Sequence, residues 1–379
     1  MTQRRRFLQG AAALGLGAAC LSPQALAEGA ARTRRPLIID ALAGIANPNR
    51  PQAELDDREK SGVDARSLAD ARQAGLAAFN MTIGYVFGKD EPYERSVRDV
   101  AAWHELLRVH GDALLLVRQA NDIRRAHAER RTGVILGFQN AAMMGSDVRR
   151  VETFANLGVR VVQLTYNGSN QLGDGAMAAS NRGLTPFGRE VVQALNRQRV
   201  LVDLSHSGEQ ICLDAAAASS QPIAITHTGC RALADLPRNK SDRELRMVAE
   251  KGGFVGIYFM PFLAIGRQPT ATDLVAHIEH ALKVCGEDHV GIGSDGNVSA
   301  IDDMPAYMRT LELEIRKRRA AGISAPGERP DIVPFLPDLQ GPDKYLRLAD
   351  MLAKRGHPAS RIEKVLGLNF LRLAGHIWG

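Results

Sequence analysis

The chain has 379 residues, 45% hydrophobic, 24% charged and 5% aromatic, with a formal net charge of +6. This is ordinary globular composition, enough for one large α/β domain or two smaller ones, and it excludes a low-complexity or fibrous chain. The charge belongs partly to the N-terminus: residues 1–27 carry Arg4, Arg5 and Arg6 and no acids, so the remainder holds only +3, too little on a domain of this size to imply nucleic-acid binding.

Those first residues read as a targeting segment. Arg4-Arg5-Arg6-Phe7-Leu8 contains a twin-arginine pattern, an apolar run follows from Ala11 to Cys20, and Ala25-Leu26-Ala27 is a small-residue cleavage site. The expectation is a twin-arginine signal peptide over residues 1–27, a single domain over 28–379, and a periplasmic protein that is soluble once the signal is removed. No later apolar run is long enough to span a bilayer. Removal leaves Cys212, Cys230 and Cys285, an odd set without tight spacing and so no disulfide framework.

Eight short, continuous apolar runs then recur along the chain: Leu37–Asp40, Gly75–Ile83, Gly133–Phe138, Arg160–Thr165, Val200–Leu204, Pro222–Thr226, Gly253–Phe259 and His289–Gly293. They lack polar alternation, as strands buried on both faces should. Helical spacing of charges and apolars fills the intervals at Tyr93–Val109, Asp112–Glu129, Ser241–Lys251 and Thr272–Val284. Another helix opens at Thr185-Pro186, a cap residue followed by proline in the first turn. Residues 321–345 read as a long loop before a last helical pair, Tyr345–Lys354 and Ser360–Ile377. Eight strand–helix repeats predict an α/β (β/α)8 TIM-like barrel. An open doubly wound sheet is the alternative, disfavoured because no glycine-rich dinucleotide fingerprint follows an early strand.

In such barrels the chemistry sits at the carboxyl ends of the strands. Those ends offer Asp40, Asn80 and Thr82, Gln139-Asn140, Tyr166-Asn167, then Asp203, Ser205 and His206, then His227 and Arg231, then Tyr258, and last Ser294-Asp295. His206 and His227 on adjacent strands, with Asp295 from the eighth, form a metal-site arrangement, and imidazole with carboxylate suits zinc. Asp295 is the candidate catalytic group, taking a proton from a water or completing the coordination shell. Cys230 beside His227 is a further nucleophile candidate. The basic run Arg316-Lys317-Arg318-Arg319 is expected on a solvated helix face, Trp103 and Trp378 in packing, and the remaining histidines in structural roles.

The chain resembles the membrane (renal) dipeptidase family of zinc metallopeptidases, related to the amidohydrolase barrels. The likeness covers nearly all of residues 28–379. It is densest in Gly158–Asn167, Gly183–Arg189, Val202–His206, Thr226–Arg231, Pro237–Asn239, Glu250–Gly253, Asp288–Asp295 and Leu366–Arg372. The resemblance implies that His206 and His227 are ligands of one metal and that Asp295 lies near a second. It also implies that Arg231 holds the substrate carboxylate, with Tyr166, Arg238 and Asn239 as further substrate-facing positions.

The departures are equally specific. The family's His-x-Asp pair falls on Leu42 and Gly44, its bridging glutamate on Gln139, and a substrate-facing histidine on Tyr166. A neutral amide cannot supply the charge that holds two dications together. A dinuclear centre is therefore not expected, and one zinc is the most that His206, His227 and Asp295 hold. The expectation is a metallohydrolase of a dipeptide or small peptide amide. The alternative is a catalytically silent barrel binding a peptide-like ligand or partner, with Arg231 and Arg238 as carboxylate anchors. A small peptide-like molecule is the expected partner in either case, with a homodimer allowed.

Overall fold

The computed structural model describes residues 35–50, 62–320 and 329–379. The targeting segment at 1–27, and part of the loop expected at 321–345, lie outside them.

Eight parallel strands form the barrel: β1 (Ile38–Asp40), β3 (Leu76–Thr82), β5 (Thr132–Phe138), β6 (Val159–Gln163), β7 (Leu201–Asp203), β8 (Ala224–Thr228), β9 (Phe254–Ile257) and β10 (Val290–Ile292). They follow one another around the sheet in that order. The two ends of the run meet, because Ala41 N–H donates to Ile292 O at 3.0 Å. All eight predicted strands are present, within a few residues of their expected limits.

One predicted element is corrected. The segment expected as a single helix over Asp112–Glu129 starts instead with a strand, β4 (Leu114–Leu116), and only Ala120–Glu129 is helical. The reason is visible in Leu114-Leu115-Leu116-Val117, a continuous apolar run that pairs with Thr132–Val134 of β5. β6 joins β5 only from Leu136 onward, so β4 takes the part of that edge β6 leaves open. Two further short strands, β2 (Ala43–Gly44) and β11 (Gly296–Asn297), pair with each other just past the ends of β1 and β10.

Alternation along the strands sorts side chains between two layers. Ile38, Val162, Val202 and Ile225 belong to the outer core, between the sheet and its helices. Their neighbours Ile39, Val161, Leu201 and Ala224 belong to a separate cluster with Phe254. That inner cluster is completed by Phe370, Leu373, Ile377 and Trp378 of the last helix, Asn369–Trp378. Phe254 meets Phe370 edge-on at 5.3 Å, a geometry that suits the ring quadrupoles. Two residues further along the same strands, on the same face by the period of two, stand Gln163, Asp203 and Thr226, all buried. The barrel interior thus changes from apolar to polar at one level, and the polar level is the floor of the carboxyl-end mouth.

The helices begin where the capping signals lie. Thr185 accepts from Gly188 N–H at 3.0 Å ahead of Pro186–Arg197. Ser241 and Glu244 form a reciprocal capping box ahead of Asp242–Glu250. The expected last helix over Ser360–Ile377 is helical throughout but passes through a π-helical turn at Lys364–Leu368. Among the described residues no helix is long and apolar enough to cross a membrane.

Candidate active site

His206 and His227 converge. His206 follows β7, His227 lies within β8, and both are buried. Their Nε2 atoms stand 3.0 Å apart. Each ring is oriented from behind. His206 Nδ1 donates to Asn167 Oδ1 at 2.6 Å. His227 Nδ1 lies 3.0 Å from Thr226 Oγ1, whose own hydroxyl donates to Asp203 Oδ2 at 2.7 Å. Since that hydroxyl proton goes to the carboxylate, Thr226 accepts from His227 Nδ1–H. Both Nδ1 atoms therefore carry the proton, and both Nε2 lone pairs point into the mouth.

Asp203 anchors this support. Its Oδ1 accepts from Ser205 N–H, Ser205 Oγ and Thr226 N–H at 3.1, 2.5 and 3.0 Å. Ser205 Oγ in turn accepts from His227 N–H at 3.1 Å. Burial raises the Asp203 carboxyl above its ordinary range, against the opposing pull of the Ser205 and Thr226 hydrogen bonds.

Two lone pairs 3.0 Å apart repel unless an electron-poor group lies against them. A proton is disfavoured: burial first, then Arg238, holds the pKa of both histidines well below the ordinary imidazole value. The group present is Arg238, which donates from Nη2 to His206 Nε2 at 3.0 Å and from Nη1 to Ser205 O at 2.7 Å. Its charge also acts on Asp295 and Tyr258.

Asp295 sits just past β10 with φ of 55°, in the left-handed region that a residue with a side chain seldom adopts. Its N–H donates to Leu42 O at 2.7 Å, which holds that conformation. Desolvation, reinforced by Asp40 and opposed by Arg238, raises its pKa to about 7. A carboxyl that titrates near neutrality is suited to proton transfer. Yet among the described residues no group of three His, Cys, Asp or Glu side chains is arranged to hold a metal ion. The structure joins His206 to His227 but does not bring Asp295 into one ligand cluster with them.

The positions that depart from the resemblance take distinct places. Leu42 is buried, and Gly44 pairs with Asn297 across β2 and β11. A Cβ at residue 44 would lie 2.5 Å from Asn297 Oδ1, so the amide of Asn297 fills the room a side chain there would need. Gln139 donates from Nε2 to Thr82 Oγ1 at 2.7 Å. Tyr166 stacks on His206, centroids 4.2 Å apart and 23° between planes. A dinuclear metal centre does not fit this donor set. A single ion fits the chemistry of the two imidazoles, with the Arg238 hydrogen bond in competition for one of them.

Three other sequence candidates make the following contacts. Arg231, read as the carboxylate anchor, turns to Asn239 O at 3.2 Å and to Glu209 at 3.7 Å, whereas Arg238 reaches the histidines. Asn239 is a bracket: its Nδ2 donates to Ala234 O and Phe262 O, and its Oδ1 accepts from Tyr258 OH. Cys230 is not a nucleophile activated by His227. Its buried thiol points to His277 O at 3.5 Å, burial pushes its pKa far up, and its backbone N–H donates to His277 Nδ1. The reactive form of a thiol is the thiolate, which this environment suppresses.

Two buried lysines were not foreseen. Lys240 pairs with Glu244 at 3.0 Å and donates to Cys212 Sγ at 3.2 Å. Lys344 donates to Asn297 O at 3.1 Å, beside Asp40, and desolvation lowers its pKa to about 8. Neither follows a strand, so a survey of strand ends passes over both.

Residues 33–317 match the model of the membrane dipeptidase family, peptidase family M19, and the chain belongs to that family of peptidase-like hydrolases. A dipeptidase of Claviceps purpurea, tcpJ, is 26% identical over 324 residues, 82% of this chain and 68% of its own. The crystal structure of an amidohydrolase from Pseudomonas aeruginosa is 30% identical, with a TM-score of 0.76 over 91% of this chain and 97% of that one. A Rhodobacter sphaeroides metallo peptidase, liganded with a phosphinate mimic of L-Ala-D-Ala, shares the fold: TM-score 0.70, 21% identity, 91% and 100% coverage.

Proposed function

We propose that the protein is a dipeptidase-family hydrolase of a dipeptide or small peptide amide that works with at most one metal ion. The observation that carries this reading is the His206–His227 pair, with Nε2 atoms 3.0 Å apart and both Nδ1 protons engaged behind. Such a pair supplies two of the three protein ligands that a catalytic zinc takes. When bound there, zinc supplies Lewis-acid polarisation of the amide carbonyl. Arg238 binds the substrate carboxylate, because its guanidinium lies against His206 and offers a planar fork. Asp295, raised by burial to a pKa of about 7, takes a proton from the attacking water as its oxygen bonds the amide carbon, and passes that proton to the leaving nitrogen as the C–N bond breaks. Asn167, Thr226 and Asp203 keep the imidazoles in the right tautomer. The twin-arginine segment carries the protein to the periplasm, where small peptides are its substrates.

A second reading, a silent barrel that binds a peptide-like ligand, draws on one observation. Arg238 Nη2 already donates to His206 Nε2, the lone pair that a metal would need. Incubation of zinc-loaded protein with a dipeptide panel separates the two. The hydrolase reading expects turnover that disappears in His206→Ala and His227→Ala. Binding of dipeptides without turnover, unchanged by added zinc, favours the silent barrel instead.

A further inference from the structure

We infer that Phe87 and Tyr166 form an aromatic ladder that selects ligands carrying an aromatic or flat apolar group near their carboxylate. The inference deepens the reading of the site as a peptide-binding mouth and rests on it for the role of Arg238.

The ladder has three rungs. His206 lies at the buried end, Tyr166 stacks on it at 4.2 Å, and Phe87 stacks on Tyr166 at 5.7 Å with 27° between planes. Phe87 is 47% exposed. An exposed phenyl ring on a loop is ordinarily free to move, but this one is held. The loop follows β3 at the carboxyl face of the barrel, and Asn140 Nδ2 donates to Val86 O, the residue before Phe87, at 2.8 Å. Asn140 is itself buried and fixed by Ala142 N–H and Asn170 Nδ2 on its Oδ1. On the other side Tyr85 N–H donates to Ser96 Oγ at 3.1 Å. The ring is thus prepositioned in water by a buried amide network, the arrangement that lowers the ordering cost of binding.

The ladder and the anchor share one imidazole. His206 carries Tyr166 on its ring face and the Arg238 guanidinium at Nε2. Arg238 and Tyr166 thus meet the same imidazole, which places the group beside a carboxylate at Arg238 next to the exposed edge of the ladder. Aromatic rings gain from offset or edge contact with such a stack, whereas a glycine residue gains nothing.

The test is calorimetric binding of Gly-Phe, Gly-Gly and 3-phenylpropionate to the wild type, Phe87→Ala, Tyr166→Ala and Tyr166→Phe, each checked for an unchanged melting temperature. The expected result is Gly-Phe binding about tenfold tighter than Gly-Gly. That ratio falls toward one in Phe87→Ala and Tyr166→Ala and is retained in Tyr166→Phe, which keeps the ring. Equal wild-type binding of the two dipeptides, or a ratio untouched by Phe87→Ala and Tyr166→Ala, overturns the ladder while leaving the peptide-binding reading standing. Ladder-dependent binding of 3-phenylpropionate with no binding of either dipeptide supports the ladder and removes the peptide reading. Absence of binding by all three overturns both.

Discussion

The mouth of the barrel has two unequal halves. At the ends of β7 and β8, the histidines and everything that orients them are in place: Asn167 behind His206, and Thr226 and Asp203 behind His227. At the ends of β1 and β10 a buried polar frame stands with no side-chain donor at Leu42 or Gly44. Asp40 still accepts from Leu42 N–H and Ser294 N–H, and Tyr345 OH caps its other oxygen at 2.8 Å. Beside this frame stand Leu42 and Gly44, and the Asn297 amide fills the space that a side chain at residue 44 would need. The contrast teaches that a barrel mouth can keep a buried, hydrogen-bonded frame whether or not side-chain donors stand beside it. Buried polar groups such as Asp40 need their partners whether or not a metal is held.

The comparison is sharpened most by Asp203→Ala. The change strips the acceptor from Ser205 and Thr226, leaving buried donors unpaired, and should cost about 4 kcal/mol of stability in chemical denaturation. It should also free the His227 ring, seen as altered imidazole resonances by NMR. A loss under 1 kcal/mol would mean this half is no more rigid than the other.

On the opposite half, Lys344 gives a pH signature. Its pKa is lowered to about 8 by burial, so the folded state binds its proton less tightly than the unfolded chain. Its ammonium form then costs stability at all pH values below about 8, and stability is regained as pH rises from about 8 toward the ordinary lysine value. The full span is about 3 kcal/mol. Denaturation of wild type and Lys344→Met between pH 7 and pH 10 should show that slope in the wild type only. Parallel curves would break the assignment.

Placing a carboxylate at residue 44 is a more direct probe. Gly44→Asp alone should destabilise by about 2 kcal/mol, because its Cβ meets Asn297 Oδ1 at 2.5 Å. Gly44→Asp with Asn297→Gly should recover most of that loss. Equal stability of the single and double variants would show that Asn297 does not fill the position. The smallest effect expected is Tyr345→Phe, which removes one hydrogen bond to Asp40 and should cost about 1 kcal/mol.

Much of the fold was legible because buried parallel strands are continuous apolar runs. The eight runs, the Thr185 cap and the helix opening at Ser241 stand in the structure where the sequence pattern places them. β4 was not legible: Leu114–Val117 adjoins a strongly helical segment, and only its partner edge on β5 decides its conformation. The His206–His227 pair could be anticipated from strand ends, as could the absence of side-chain donors at Leu42 and Gly44. The assignment between Arg231 and Arg238 could not, since both lie in one long loop after β8 and only folding shows which guanidinium turns inward. Lys344 and Tyr345 were hidden for a different reason. They reach the β1 end from a helix some 300 residues further along the chain, as the Tyr345–Asp40 separation of 305 positions shows. The ladder needed Phe87 and Tyr166 to meet across two loops, which no local pattern announces.

The most direct test of the unequal halves is metal content per chain, measured by inductively coupled plasma mass spectrometry after zinc loading and removal of loosely held ions. The account predicts no more than one zinc per chain, with none retained in the His206→Ala/His227→Ala double variant. Two zinc ions per chain, or a content unaffected by loss of both histidines, would contradict it.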